Sequence, residues 1–343
     1  MRRITLYLVT FSLLVVVAGL QAIPRYSVER AQACRECHVD MSGAGMRTVY
    51  GNEEFAAKDL ALPGSAALLD GENHSPKISE ALQVGFDVRY TANDEGTVTR
   101  EQTDLYVAIR PLSLLLYKVT LGQDGITENY AQLKYDGTRH FLKVGRFAPS
   151  FGLRLADTTA FVRQRTRSTG REYLNGAAAG TGWRGFGLTL EAFNVDDQDV
   201  FDVNAQWQGR LFGKGGFVGV SYRNSSQVGG SYAPYRHARA FYGGLNAGPF
   251  TFLGEIDLVG KSPDTLITYL SLSARPVSGL YISAEYDFFD GDRDLQSGVE
   301  EAFRARVDFF PIPFVQVRPA YTYYTEGPLK DEDELTVQLH VGY

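Results

Sequence analysis

From Ser79 to Tyr343 apolar and polar residues alternate with a period of two, the signature of strands that bury one face only. In 80–90, Leu82, Val84, Phe86, Val88 and Tyr90 alternate with Gln83, Gly85, Asp87 and Arg89. In 279–289, Leu280, Ile282, Ala284, Tyr286 and Phe288 alternate with Ser283, Glu285 and Asp287. The stretch 302–309 sets Phe303, Ala305, Val307 and Phe309 against Arg304, Arg306 and Asp308, and 314–323 repeats the pattern. One face is apolar and the other charged. In a soluble sandwich the apolar face would meet a second sheet; in a membrane barrel it meets lipid, and the charged face lines a wet lumen.

Connection lengths separate those two folds. Short turns fall at 110–113, 136–139, 180–185, 247–250, 275–279 and 310–313. Between them lie longer polar loops at 91–99, 149–170, 194–199, 224–236, 260–264, 290–300 and 325–334. Alternating short and long connections match the periplasmic turns and outer loops of outer-membrane barrels. The expected fold is therefore all-β, a transmembrane antiparallel barrel of about 16 strands with both termini periplasmic. Twenty Tyr, 21 Phe and 36 Gly supply the girdle aromatics and tight turns such a barrel needs. The chain ends on an aromatic, Tyr343, after Leu335, Val337, Leu339 and Val341, like the C-terminal signal of inserted barrels.

The N-terminus divides in two. Residues 1–22 read as a secretory signal, with Arg2 and Arg3, an apolar run from Leu6 to Leu20, and Ala22 before the cleavage point. No other segment approaches the ~20 consecutive apolar residues a membrane helix requires. Residues 23–78 form a short leader with one helical stretch, Asn52 to Leu60, and 79–343 form the barrel. Net charge is −6, which gives no footprint for nucleic acid.

The leader contains CRECH, Cys34 to His38. Cys-x-x-Cys-His is the attachment site of a c-type haem: two thiols add to the porphyrin vinyls and the adjacent imidazole binds the iron. These are the chain's two cysteines, so no disulfide framework competes for them. Structural zinc would need about four ligands. A redox CxxC would sit in a βαβ setting, which is missing. The expected cofactor is one covalent haem c, held by Cys34 and Cys37 with His38 as proximal ligand. Met46, after Gly43 and Gly45, is a candidate distal ligand; His74 and His340 are alternatives, as is an open position. A leader of about fifty-six residues cannot bury a haem alone. It is expected to plug the periplasmic end of the barrel, where lumen side chains complete the pocket.

Two loop features bear on function. The long loop 149–170 is basic, with Arg154, Arg163, Arg165 and Arg167, and Arg171 just beyond. It either folds inward, pairing with haem propionates or with Asp87, Glu285 and Asp287, or stays outside against lipopolysaccharide phosphates. Acidic clusters at Asp196, Asp197 and Asp199, at Asp290, Asp292 and Asp294, and at 331–334 are a solvated face, or a means of concentrating divalent cations such as Fe²⁺.

The run AIPRYSVERAQACRECH, Ala22 to His38, and the aromatic–glycine pair Tyr50–Gly51 resemble the fused monohaem cytochrome–porins of the bacterial outer membrane, which include outer-membrane iron-oxidising cytochromes. The resemblance covers about thirty residues by motif, the barrel matching by architecture. Two departures stand out: MSGAGMRTVYG replaces a Pro- and Asn-containing stretch, and the barrel loops are lean. The resemblance implies a haem inside or at the base of an outer-membrane barrel. It would pass electrons between an extracellular donor, ferrous iron for example, and a periplasmic c-type cytochrome, in the manner of a ferrous iron–cytochrome oxidoreductase. The alternative is a solute porin with a structural or redox-sensing haem.

Overall fold

The computed structural model describes residues 24–343 except 41–44, 66, 68–74, 136–138, 156, 167–171, 196–197, 212, 227–235, 261–264 and 294–297, and follows Cys34 through its backbone. The signal segment 1–22, Met41 and His74 lie outside the described residues.

Among the described residues seventeen strands form one antiparallel sheet. The three-residue strand Lys77–Ser79 is a spur on its neighbour; the other sixteen close into a barrel. Closure joins the first long strand, Leu82–Asn93, to the last, Asp333–Gly342, with Val88 opposite Val341 and Arg89 opposite His340. Tyr343 completes this seam: its amide donates to the Phe86 carbonyl at 2.8 Å and its ring packs on Phe86 and Phe314. Every neighbouring pair is antiparallel, and closure leaves no long edge to template aggregation.

The alternation has the expected consequence. On strand Leu280–Asp290, Ile282 points outward and is 50% exposed, whereas Tyr281, Ser283, Glu285 and Asp287 point inward and are buried. On the neighbouring strand Val299–Ile312, Phe303 faces out, and Arg304 and Asp308 face in. Leu142, Val144, Trp183, Val218, Phe252 and Leu272 extend the outward apolar surface around the wall. A belt of this extent far exceeds the few hundred Å² a soluble monomer leaves bare, and lipid is the medium that covers it.

Two hairpins escape the composition-based reading of turns: Gly122–Gly125, and the connection through residues 212–213. Each is so short that it hardly interrupts the alternation. The 91–99 loop is likewise tighter than expected, because the strands run on to Asn93 and restart at Val98.

The lumen is not an open bore. Helix Pro24–Arg30 enters from the short-turn end and packs on strands Lys214–Ser225, His237–Ala247 and Phe250–Gly260. The segment Gly51–Leu60 forms a wide π-type helix, one residue longer than the expected stretch. Its Phe55 and Leu60 pack with Tyr26, Tyr281 and Phe310, and the Leu62 amide donates to the Phe310 carbonyl at the 310–313 turn. From the long-loop end, part of the 149–170 loop folds inward: Phe151, Leu153, Phe161 and Val162 are buried in one apolar cluster with Val28 of the leader helix. Leader and loop meet inside the barrel.

Candidate functional site

Cys34–Cys37 is a single helical turn, which spaces the two cysteines of the motif one turn apart. The chain then turns back on itself. His38 and Arg47 form an antiparallel bridge, the Val39 amide donates to the Met46 carbonyl at 3.0 Å, and the Thr48 amide donates to the Cys37 carbonyl at 2.9 Å. These bonds tie the motif to the segment that follows it, and Cys37 packs on the cluster of Tyr26, Phe55 and Leu60.

Gly51 completes the support. Its Cα sits directly against the Cys37 carbonyl, with no space for a Cβ. The Tyr50–Gly51 pair noted in the sequence thus has a steric origin: only glycine lets the wide helix approach the motif. Gly51→Ala is expected to displace the Cys34–Cys37 turn at a cost of about 1–3 kcal/mol. Haem staining per barrel on denaturing gels should fall in this variant and stay unchanged in Gly260→Ala, where an added Cβ meets ordinary contacts at 3.6 Å.

His38 Nδ1 lies 3.1 Å from the Gly45 carbonyl oxygen, so Nδ1–H donates there and Nε2 keeps its lone pair. Metal-binding histidines are oriented by this kind of outer hydrogen bond. Burial, reinforced by the charge of Arg47, pushes the imidazole down to about 4, keeping it neutral. Burial also pushes the Cys37 thiol up to about 11. Asp40 is clamped to the wall by Lys143 at 2.7 Å. Burial alone would raise the Asp40 carboxyl, but Lys143 holds it well below the usual carboxylate range.

Cys37, His38 and Arg47 border a lumen cavity of about 210 Å³. Tyr26, Phe55, Leu60 and Phe310 give it an apolar wall; Arg47, Arg89, Arg154 and Arg318 give it cationic points. An apolar slot with a few fixed charges is how cofactor pockets are built. The oriented imidazole and the helical CxxC turn are the donor set a c-type haem uses, and Cys34, Cys37 and His38 are the residues that would hold one.

The two described candidates for distal ligand, Met46 and His340, have different surroundings. Met46 is 1% exposed, packed with Val39, Tyr106 and Leu116, and does not border the cavity. The glycines around it let the chain turn, but the turn carries the thioether into the wall. His340 does border the cavity. Register sets it opposite Gln316, whose Oε1 lies 2.9 Å from His340 Nδ1, while Nε2 is 3.1 Å from Asp87.

The basic loop divides its roles. Arg163 pairs with Glu255, touching both carboxylate oxygens at 3.0 Å, and Arg165 pairs with Glu300 at 2.5 Å. Arg154 borders the cavity; Arg167 and Arg171 lie outside the described residues. Asp287, expected as a partner of loop arginines, instead accepts the Phe161 amide at 2.9 Å. Glu285 is held by Arg304 and Arg306 of the barrel wall. Asp157, which the sequence did not single out, pairs with the same two arginines at 3.3 and 3.1 Å. Of the acidic clusters, Asp196, Asp197 and Asp294 lie outside the described residues, and no group of three or more metal-ligating side chains appears among the described ones.

No family model and no curated protein matches the chain. Solved structures of outer-membrane barrels do. OprB of Pseudomonas putida at high pH aligns over 84% of this chain and 99% of its own, with 12% identity and a TM-score of 0.58. OmpT of Vibrio cholerae aligns over 78% of this chain and 100% of its own, with 10% identity and a TM-score of 0.57. An anion-selective porin from Comamonas acidovorans aligns over 77% and 99%, with 11% identity and a TM-score of 0.53. At these identities the likeness is one of fold, and the chain folds as a porin-like sixteen-stranded outer-membrane-type barrel.

Proposed function

We propose that the chain is an outer-membrane electron conduit of the monohaem cytochrome–porin kind. A haem c is held in the lumen through Cys34 and Cys37, with its iron on His38. It lies between a donor or acceptor outside, ferrous iron for example, and a periplasmic c-type cytochrome at the short-turn end. Bound there, haem supplies one-electron chemistry. The remaining work belongs to the chain. Gly45 fixes the His38 ring; the Asp40–Lys143 pair ties the motif to the wall. Arg163, Glu255 and Asp157 hold the inserted loop across the lumen. His340 is the distal ligand that best fits this reading, because it borders the cavity and Met46 does not.

The observation that carries the proposal is the placement of CRECH on a cavity inside a barrel whose lumen is otherwise packed. A wide solute pore leaves lumen charges wet, whereas here Arg163, Glu255, Asp257 and Asp308 are all 1% exposed or less. The second reading, a solute porin with a structural or redox-sensing haem, is favoured by the fold neighbours, which include an anion-selective porin.

Liposomes separate the two. Purified protein is inserted into vesicles that enclose a cytochrome-type electron acceptor, and ferrous salt is added outside. The expected result is reduction of the enclosed acceptor at a rate far above that of protein-free vesicles, with little leakage of a small sugar. Absent reduction together with free sugar leakage would establish the porin reading instead.

A further inference from the structure

We propose that Arg47 is the built counter-ion for a carboxylate of the bound cofactor, a haem propionate, and that the last barrel strand holds the guanidinium in place for it. This inference rests on the function proposed above and names one contact of the same site.

The local ladder puts Arg47 directly opposite His38, and directly opposed residues of an antiparallel pair project to the same side. Both border the cavity. Arg47 Nη1 donates to the Gly342 carbonyl at 2.5 Å, reaching from the leader to the barrel seam across 295 positions of sequence. Gly342 carries no side chain, and Arg47 Nη2 lies 3.6 Å from where a Cβ would stand, so the guanidinium lies close over the strand.

What distinguishes Arg47 is its lack of an anion. Arg25 pairs with Asp308 at 2.7 Å, and Arg318 pairs with the same carboxylate at 2.6 Å. Arg89 holds Asp87 through two hydrogen bonds of 3.0 and 3.1 Å, and Asp87 is also 3.1 Å from His340. Arg163 has Glu255. Arg47 forms no ion pair among the described residues, and its hydrogen bond goes to a neutral carbonyl. A half-buried guanidinium without a counter-charge is unfavourable, whereas its planar fork matches a carboxylate. The missing anion belongs on the cavity side, beside the imidazole that faces the iron.

The test uses the full chain produced with cytochrome maturation and purified in detergent. In Arg47→Gln, loss of a positive charge beside the iron should lower the equilibrium constant for reduction about tenfold, about 59 mV for a one-electron couple. Arg47→Lys should retain most of the potential. It should nevertheless shift the propionate-bending band in resonance Raman spectra, because an ammonium replaces the fork. A potential unmoved in Arg47→Gln, or a band in Arg47→Lys identical to that of the parent, overturns the assignment. Where Arg47→Gln does not assemble, the band in Arg47→Lys decides alone. A parent protein whose mass shows no haem on Cys34 and Cys37 overturns the site as a whole, and is thereby distinct from failure of the Arg47 contact.

Discussion

The double variant Cys34→Ala, Cys37→Ala is expected to lose all covalent haem and keep its barrel. Denaturing gels stained for haem peroxidase activity should show no signal. The intact mass should correspond to the bare polypeptide, and the heat-dependent mobility shift of a folded barrel should persist. Loss should be complete because no other cysteine exists in the chain. The barrel should persist because its closure is made by backbone pairs such as Val88 with Val341, far from the motif. The Cys37 thiol, pushed up to about 11 by burial, stays neutral, and alanine keeps part of its contact with the cluster of Tyr26, Phe55 and Leu60. Equal haem content in parent and variant would sink the site. Loss of the folded barrel would show instead that the leader is needed for assembly.

Arg163→Met is expected to open and destabilise the lumen. Arg163 comes from the inserted helix Phe161–Arg165 and grips Glu255 of strand Phe250–Gly260 through both oxygens; each side chain is 1% exposed or less. Methionine approximates the stem of the side chain but removes the charge, leaving Glu255 buried with the Leu153 amide as its remaining donor. Removing one partner of such a buried pair costs about 3–5 kcal/mol. The loop has no easy alternative seat. At Gly152, φ is +61°, and a Cβ there would strike Glu255 and Arg163, so the turn fits only around this pair. The variant should unfold at lower denaturant concentration. In planar bilayers it should show larger or more frequent conductance steps than the parent, as the loop leaves the lumen. Adding Glu255→Leu should recover much of the stability, since an apolar pair of similar volume replaces the ion pair. Unchanged conductance in Arg163→Met would mean that the loop does not gate the bore.

Architecture was largely legible before the structure. Alternation at 80–90, 279–289, 302–309 and 314–323 assigns each side chain to lipid or lumen, and Ile282, Phe303 and Phe86 are exposed as their parity requires. That works because strand side chains alternate strictly and lipid rewards one parity only. Thirteen of the fifteen connections between the long strands were legible; the other two hairpins were too tight to register as breaks. The Cys34–His38 motif was equally plain, since it is five contiguous residues. Gly51 was visible as half of an aromatic–glycine pair, but its purpose, contact with the Cys37 carbonyl, was not.

The contents of the lumen were not legible in this way. Asp40 and Lys143 are 103 positions apart, Arg163 and Glu255 are 92 apart, and Arg47 meets Gly342 across 295. No local period carries such pairings; closure of the barrel creates them. The choice between Met46 and His340 was of the same kind. Spacing favoured the methionine, but the turn that spacing permits buries its thioether in the wall, while strand register presents the imidazole to the cavity. By itself, then, the sequence determined the barrel and its inside and outside, and displayed the Cys-x-x-Cys-His motif, because each of these depends on neighbours a few positions away. Only the tertiary structure decided that the lumen is filled, what holds the plug, and which groups face the motif. Those contacts exist only once a closed wall brings distant charges to the point where each must find a partner out of water.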